Sequence, residues 1–337
     1  MPQSLPVVAL TLGDPASVGP EIVVRALAAG GLHDVCVPVV VGDRRIVARA
    51  LGTTGISLDV VPIGRPGEAT GRPGLVEVVD VPADGFDGIE WGRIQAAAGR
   101  AAFESIRVAI DLALACEVDA VATAPVNKEA FRAAGVSQIG HTEIFGERTG
   151  TPDPLTLFEV KGLRVFFLSR HLSLAEAVRR ITAERTLDVL RRAAAALRTL
   201  GVPAPRLAVA ALNPHGGEHG LFGDEEEREL GPAIAAACAE GIDANGPFPA
   251  DSVFWHAAQG RFDAVLSLFH DQGHIAAKMY DFERTVSITC GLPFLRTSVD
   301  HGTAFDIAGT GRASAVSMVE AVRAAARYAF AVRPRPV

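Results

Sequence analysis

Short apolar runs bounded by glycine, proline, asparagine and aspartate alternate along this chain with longer stretches whose apolar positions recur every three to four residues. The first pattern suits a strand buried on both faces and the second a helix with one buried stripe, so their alternation predicts βα units and a parallel sheet. PVVALTLGD reads as the first strand, and GPEIVVRALAAG, with proline near its start, as the helix that follows. VCVPVVVGD and RRIVARALG repeat the unit, and LDVVPI and LVEVVDV add strands around a Gly/Pro-rich loop from Gly64 to Gly74. A helix over Ala96–Cys116 leads into the strand DAVATAP, a short helical piece follows Asn127, and GVSQIGHTE reads as a turn. TPDPLTLFEV and LRVFFLSRH are expected to be adjacent strands, and Ala183–Leu200 and Ala313–Phe330 to be helices. At 337 residues, with no internal repeat or low-complexity linker, the chain suits two α/β domains sharing a cleft rather than one core.

Three apolar runs of strand character stop at a histidine: LRVFFLSR at His171, RLAVAALNP at His215 and FDAVLSLF at His270. In an open α/β sheet the carboxyl ends of strands converge on the crevice where ligands bind, so three imidazoles delivered there can face one divalent metal. Taken singly, each is equally well a hydrogen-bonded histidine at a strand terminus; the repetition, with turn residues around it, favours a ligand set. Read as a helix, HDQGHIAAKM places His270, His274 and Lys278 on one face beside that expected cation.

Composition narrows the function classes. A hydrophobic content of 49% with 21% charged residues describes a soluble globular chain rather than a disordered one. A net charge of -7 argues against nucleic acid as partner, which would call for a basic face. There is no long uncharged apolar run and no basic-then-apolar leader at the start, so neither a membrane span nor a signal segment is expected and the cytoplasm is the expected compartment. Cys36, Cys116, Cys238 and Cys290 form no CxxC pair, so neither a disulfide framework nor a thiolate zinc site is indicated; Cys116 and Cys238, in Ala-rich helical stretches, are expected to pack as small apolar residues.

TLGDPASVGPE, TAPVNKEAFRAAG, GHTEIF, HLSLAEA, LNPHGGE, HDQGHIAAK and GLPFLRTSVDHGTAFDIAGTG occur in this order from the first strand to the last helix. In these blocks the chain resembles the 4-hydroxythreonine-4-phosphate dehydrogenase family of vitamin B6 synthesis. The resemblance implies a two-domain α/β/α sandwich similar to isocitrate and isopropylmalate dehydrogenases, with the active site in the interdomain cleft. It also implies an NAD-dependent, metal-requiring enzyme and a homodimer whose active sites lie at the interface. The expected division is 1–135 plus 305–337 for the first domain and 136–304 for the second, which would carry the metal.

Position by position, the resemblance implies His171, His215 and His270 as metal ligands shared between two subunits, with zinc, magnesium, manganese or cobalt all suited to the set. It implies His141, Thr142, Lys278 and Arg296 as contacts of a phosphorylated small-molecule substrate, since a guanidinium offers phosphate a fork of donors and an ammonium a point charge. Ser287 stands where the vitamin B6 enzymes carry asparagine. Asp300, Gly302 and Thr303 are the candidates on the cofactor side, by resemblance alone, because the first turn GDPASVGPE is not the GxGxxG of a dinucleotide fold. The expected chemistry is oxidation of a hydroxyl on the carbon β to a carboxylate, then decarboxylation, with the metal lowering the hydroxyl pKa and holding the developing enolate. Asp271, Lys278 and a metal-bound hydroxide are the candidate bases; Asp271 better suits the role of a group that orients a neighbouring imidazole.

Departures from the vitamin B6 pattern concern the substrate. His274 and Ile275 replace the usual leucine-proline, and Ser17 replaces a glycine of the first turn. HDQGHI and GTAFDIAGTG look more like the branch that oxidises 4-phospho-D-threonate and 4-phospho-D-erythronate, while a further branch handles aromatic dihydrodiol carboxylates. Two readings lie outside the dehydrogenases: a metal-dependent hydrolase or lyase that needs no nicotinamide, and a dimeric binding protein without turnover.

Overall fold

A computed structural model describes residues 5–332 of the chain. The strands, in chain order, are β1 (Val7–Thr11), β2 (Val37–Gly42), β3 (Asp59–Ile63), β4 (Leu75–Asp80), β5 (Ala120–Thr123), β6 (Leu155–Val160), β7 (Leu163–Phe167), β8 (Leu207–Ala210), β9 (Ala244–Phe248), β10 (Ala264–Ser267), β11 (Val286–Cys290) and β12 (Leu295–Val299). The described residues divide into two compact units, one of residues 5–154 with 291–332 and the other of residues 155–290.

In the first unit the strand order is β3-β4-β2-β1-β5-β12, all parallel. The central strands β1, β2 and β5 are runs of valine, alanine and leucine because a parallel sheet is covered on both faces, while the edge strand β3 keeps Asp59 and Pro62 exposed. β1 has β2 on one side and β5 on the other, so the chain winds outward in both directions from β1. That makes the carboxyl ends of β1 and β5 the topological switch point, the place where open α/β sheets bind ligands. The helix Ala96–Leu114 buries Ala102, Ile106, Ala109 and Ile110 along one stripe in a core with Phe131, Phe145 and Phe294.

In the second unit the order is β11-β6-β7-β10-β8-β9. TPDPLTLFEV and LRVFFLSRH are adjacent strands as expected, but β6 pairs antiparallel with β7 and with β11, while β7, β10, β8 and β9 run parallel. The long helix Ala183–Thr199 starts at Thr182, whose hydroxyl accepts from the Arg185 amide, and turns Val189, Leu190, Ala193 and Leu197 inward. Satisfying an orphan amide in this way is what serine and threonine do at helix starts.

The units meet the chain at 154/155 and 290/291, not at the 135/136 and 304/305 read from sequence. The reason lies in packing. GVSQIGHTE is only in part a turn, because a helix starts at His141 and runs to Thr149, and its Ile144 and Phe145 are buried in the first core beside Phe131, Leu292 and Phe294. Cysteine placement also differs from the sequence reading: Cys116 and Cys238 are exposed, and Cys36 and Cys290 are the buried pair. Both exposed thiols fall at the very end of their helical stretches, beyond the inward stripe.

Candidate active site

The second unit carries the three histidines. β7, β10 and β8 are neighbours in the sheet and parallel, and each is followed within a few residues by one of them: His171 after β7, His270 after β10 and His215 after β8. The three strand ends are stitched together by side chains. Gln272 accepts from the Leu268 amide (2.8 Å) and donates to the Ala211 carbonyl (2.8 Å), so it ties the end of β10 to the end of β8. The Ser169 hydroxyl donates to the Leu268 carbonyl at 3.0 Å, which ties in the segment leading from β7 to His171.

His270 opens the helix His270–Tyr280. Its Nδ1 lies 2.6 Å from Asp271 Oδ1, and a carboxylate can only accept, so Nδ1 carries the hydrogen and Nε2 is the nitrogen left to face a ligand. The His171 and His270 rings are 6.0 Å apart and inclined by 41°. Two imidazoles bound to one cation at about 2.0–2.1 Å have ring centres roughly 4.5–5.5 Å apart, so this pair stands within about 1 Å of the spacing that sharing one requires. His215 stands apart from them, its ring neighbour being Phe222 at 6.4 Å. Among the described residues, no three His, Cys, Asp or Glu side chains of a single chain come together as a metal-holding group.

His215 is exposed and sits in a strained loop with φ of 55°, a conformation that costs a non-glycine residue of order 1 kcal/mol or more. The loop is held from beneath by Glu226, 3% exposed, which accepts from the Leu212 amide (2.8 Å), the Asn213 amide (2.7 Å) and Asn213 Nδ2 (2.9 Å). Asn213 Nδ2 also donates to Glu225 at 2.7 Å. A side chain at Gly217, itself at φ of 84°, would collide with the Gly223 carbonyl and the Glu226 carboxylate. Lys278 is half-buried on the helix that begins at His270, with Nζ 5.2 Å over the Phe282 ring, and Ser287 is half-buried on β11 opposite Phe158.

The first unit holds a different kind of site, one of buried polar groups. Arg296 on β12 is 4% exposed and donates from Nη2 to Thr123 Oγ1 on β5 at 2.7 Å, with its guanidinium 5.4 Å from the Phe145 ring centre. His141 opens its helix with Nε2 closed off from solvent and without a hydrogen-bond partner; burial, helped by the Arg296 charge, pushes its pKa well below the ordinary histidine range. The imidazole is therefore neutral. Thr142, half-buried, is the next residue of the same helix.

At the switch point itself, Thr11 and Asp14 are fully buried, and Thr11 Oγ1 and Asp14 Oδ2 have no hydrogen-bond partner. Asp14 Oδ1 accepts from the Ala16 amide at 2.8 Å, while burial raises the carboxyl pKa to about 6. The Asp14 amide bonds the Pro125 carbonyl beyond β5 at 2.9 Å, and the Val18 amide bonds the Thr303 carbonyl at 3.2 Å. The first turn and the segment carrying Asp300, Gly302 and Thr303 are thus one structure. A buried polar atom left without a partner in the chain calls for one from outside it, a water or a ligand group.

Sequence reading did not single out Gln272, Glu226, Asp14 or Thr11. The first two act through bonds to backbone 61 and 13 residues away, which no local pattern reports. Asp14 was visible only as part of a glycine-proline turn; its signal is a carboxylate immediately after a fully apolar strand.

Comparison with known proteins agrees with this architecture. The chain matches the family model "Pyridoxal phosphate biosynthetic protein PdxA" over residues 34–325. A protein of Symbiobacterium thermophilum named "Putative D-threonate 4-phosphate dehydrogenase" is 62% identical over 97% of this chain and 98% of its own length. One of the same name from Clostridium botulinum is 50% identical over 96% and 97%. Among solved structures, the 4-hydroxythreonine-4-phosphate dehydrogenase of Klebsiella pneumoniae superimposes with a TM-score of 0.91 at 42% identity, covering 98% of this chain and 99% of that one. Fold and relatives together place the molecule among α/β dehydrogenases. The chain belongs to the PdxA family. No helix among the described residues is long and apolar enough to cross a membrane.

Proposed function

We propose that this protein is a cytoplasmic, NAD-dependent and divalent-metal-dependent dehydrogenase of a 4-phosphorylated four-carbon hydroxy acid, with D-threonate 4-phosphate as the preferred substrate. The observation that carries the choice of substrate is the 62% identity, over nearly the full length of both chains, to a relative named for that substrate. The value falls to 42% against the Klebsiella 4-hydroxythreonine-4-phosphate enzyme. The serine at 287 supports the same choice, because its short hydroxyl has a different reach from the asparagine of the vitamin B6 pattern.

The residues fit the two groups the reading requires. The spacing of His171 and His270, with Asp271 fixing the His270 tautomer, suits one divalent cation. The buried, partnerless Thr11 Oγ1 and Asp14 Oδ2 at the first unit's switch point suit a polar ligand such as a dinucleotide, beside Asp300, Gly302 and Thr303. When bound, the cation acidifies a coordinated hydroxyl and steadies enolate charge, and NAD takes the hydride. The chain's own residues do the rest. Arg296 and the neutral His141, with Thr142, hold the phosphorylated acid through directed donors in a dry environment. Lys278 supplies a positive charge for an anion or takes the hydroxyl proton, and Asp271 keeps His270 in the coordinating tautomer. Oxidation at C3 leaves a β-keto acid, two electrons and a proton passing to NAD with a second proton released; loss of carbon dioxide would then leave an enolate, which takes up a proton at C2 to give a phosphorylated ketone.

The metal site is proposed to be completed by a second copy of the chain. Two of the three ligands approach one another within a chain and the third does not. The helix that begins at His270 exposes Ile275 and Met279, one turn apart, and the segment after His171 exposes Leu172 and Leu174. Exposed apolar side chains flanking an incomplete ligand set are what a homodimer contact would cover.

The test is NADH formation with D-threonate 4-phosphate, D-erythronate 4-phosphate and 4-hydroxythreonine 4-phosphate, each with added Mn2+ or with chelator. The reading predicts the highest kcat/KM for D-threonate 4-phosphate and loss of turnover with chelator. Metal-independent turnover, or a higher kcat/KM for the amine-bearing substrate, contradicts it.

A further inference from the structure

The helix that begins at His270 brings a second imidazole to the candidate metal centre. His274, one turn on, has its ring centre 3.6 Å from that of His270 and nearly parallel to it, at 11°. Its Nδ1 is 2.8 Å from the His270 carbonyl, which can only accept, so the hydrogen is on Nδ1 and the ring is held to the helix backbone. Phe158 of β6 and Phe167 of β7 enclose the ring further, at 4.4 Å and 67° and at 4.6 Å and 43°. Gly273 allows this close seating, because a Cβ there would lie 2.6 Å from the Phe167 ring and 2.9 Å from Ser267 Cβ.

The stack decides what His274 can do. An imidazole lone pair lies in the plane of its ring, so two nearly parallel rings cannot aim their nitrogens at one point. His171 and His270, inclined by 41°, can. His274 is therefore placed against the flat face of a ligand rather than among the ligands. His270 is then fixed by two contacts: Asp271 sets which nitrogen carries the hydrogen, and His274 sets the plane of the ring.

We infer that His274 is a positioning residue that acts through its aromatic face, presetting the His270 ring for a divalent cation without ligating it. The inference rests on the proposed metal site. Partners that orient a metal-bound histidine typically change metal affinity by about 10- to 100-fold when removed.

The test uses the purified full-length protein, stripped of metal, titrated with Zn2+ by calorimetry and with Co2+ by visible absorption, whose band positions and intensity report the ligand set. H274F keeps a flat face and removes both nitrogens; it should bind Zn2+ within about threefold of the parent and leave the Co2+ spectrum unchanged. H274A removes the face and should weaken Zn2+ binding by about 10- to 100-fold. The inference is overturned if H274A binds like the parent, or if H274F loses as much affinity as H274A or alters the Co2+ bands, which would make the nitrogen a ligand. Should H274F not fold, H274L decides: weaker Zn2+ binding with unchanged Co2+ bands supports positioning, and either unchanged affinity or altered bands overturns it. No Zn2+ binding by the parent would instead sink the metal site itself.

Discussion

In the first unit Arg296, Thr11 and Asp14 are buried and already in place, with His141 and Thr142 half-buried, whereas the histidines of the second unit lie half-buried or exposed and only two of the three meet. Arg296, 4% exposed, is fastened to Thr123 and packed on Phe145, while His171 and His215 are exposed and His215 sits on strained backbone. Under the proposed function the contrast follows from what each set would have to do. Recognition of an anion gains most from donors fixed in a water-free setting, where each hydrogen bond is strong and nothing must reorganise. A ligand set finished by another chain has to present its nitrogens outward until that chain arrives.

The largest expected effect sets the two regions against each other. R296M should lower kcat/KM for the phosphorylated acid by at least about 100-fold and also destabilise the fold, because it strips Thr123 of its buried donor. H171A should abolish metal-dependent turnover while changing stability by no more than about 0.5 kcal/mol, as for an exposed position. Thermal melts beside kinetics check the pair; equal destabilisation by both would erase the distinction between a built-in and an assembled site.

Next in size is Glu226, the buried foundation of an otherwise exposed loop. E226A leaves the Leu212 and Asn213 amides without their acceptor and should cost about 3 kcal/mol in chemical denaturation. It should also weaken metal binding through His215. Unchanged metal affinity in the folded variant would mean that the loop's strain, not its anchor, sets the position of His215.

The pH response of the first unit follows from two buried groups with opposite signs. The Asp14 pKa is raised to about 6, so its contribution is complete below the unfolded value of 3.8 and is lost as pH rises through about 6. D14N should therefore stabilise the protein at pH 8, by roughly 1–3 kcal/mol, and the gain should shrink toward pH 4. His141 is depressed, so its contribution is present above the ordinary histidine pKa of 6.5 and is lost as pH falls below it toward the folded value. Melting temperatures of the parent and D14N across pH 4–8 check this; a gain from D14N that is larger at pH 4 than at pH 8 contradicts the buried-carboxyl assignment.

The smallest effect is one of specificity. S287N lengthens the side chain opposite Phe158 and should shift the ratio of kcat/KM values toward 4-hydroxythreonine 4-phosphate by about tenfold, with little change in stability. Competing-substrate assays read the ratio directly.

Much of this was legible in the amino-acid order. The alternation of apolar runs and helical stripes predicted parallel α/β structure, and the three strand-to-histidine runs fall on β7, β8 and β10, which lie side by side. The helix His270–Tyr280 is where its four-residue repeat of polar groups put it. Other features were hidden for physical reasons. The helix at His141 is short and opens with glycine, a poor advertisement for a helix start, and its buried Phe145 gains its meaning from Phe294, far along the chain. The same long-range packing moved both domain boundaries. The stacking of His274 on His270 required knowing that two phenylalanines enclose it.

The central claim, that a second copy of the chain completes the metal site, is tested most directly by mixing two inactive variants. H215A retains His171 and His270, and H270A retains His215, so a mixed dimer has one intact ligand set and one lacking two ligands. Unfolding and refolding the variants together at equal concentration should restore about a quarter of the parent's metal-dependent NADH formation, since half the dimers are mixed and each carries one working site of two. Activity no greater than that of either variant alone would contradict the account and return all three ligands to a single chain.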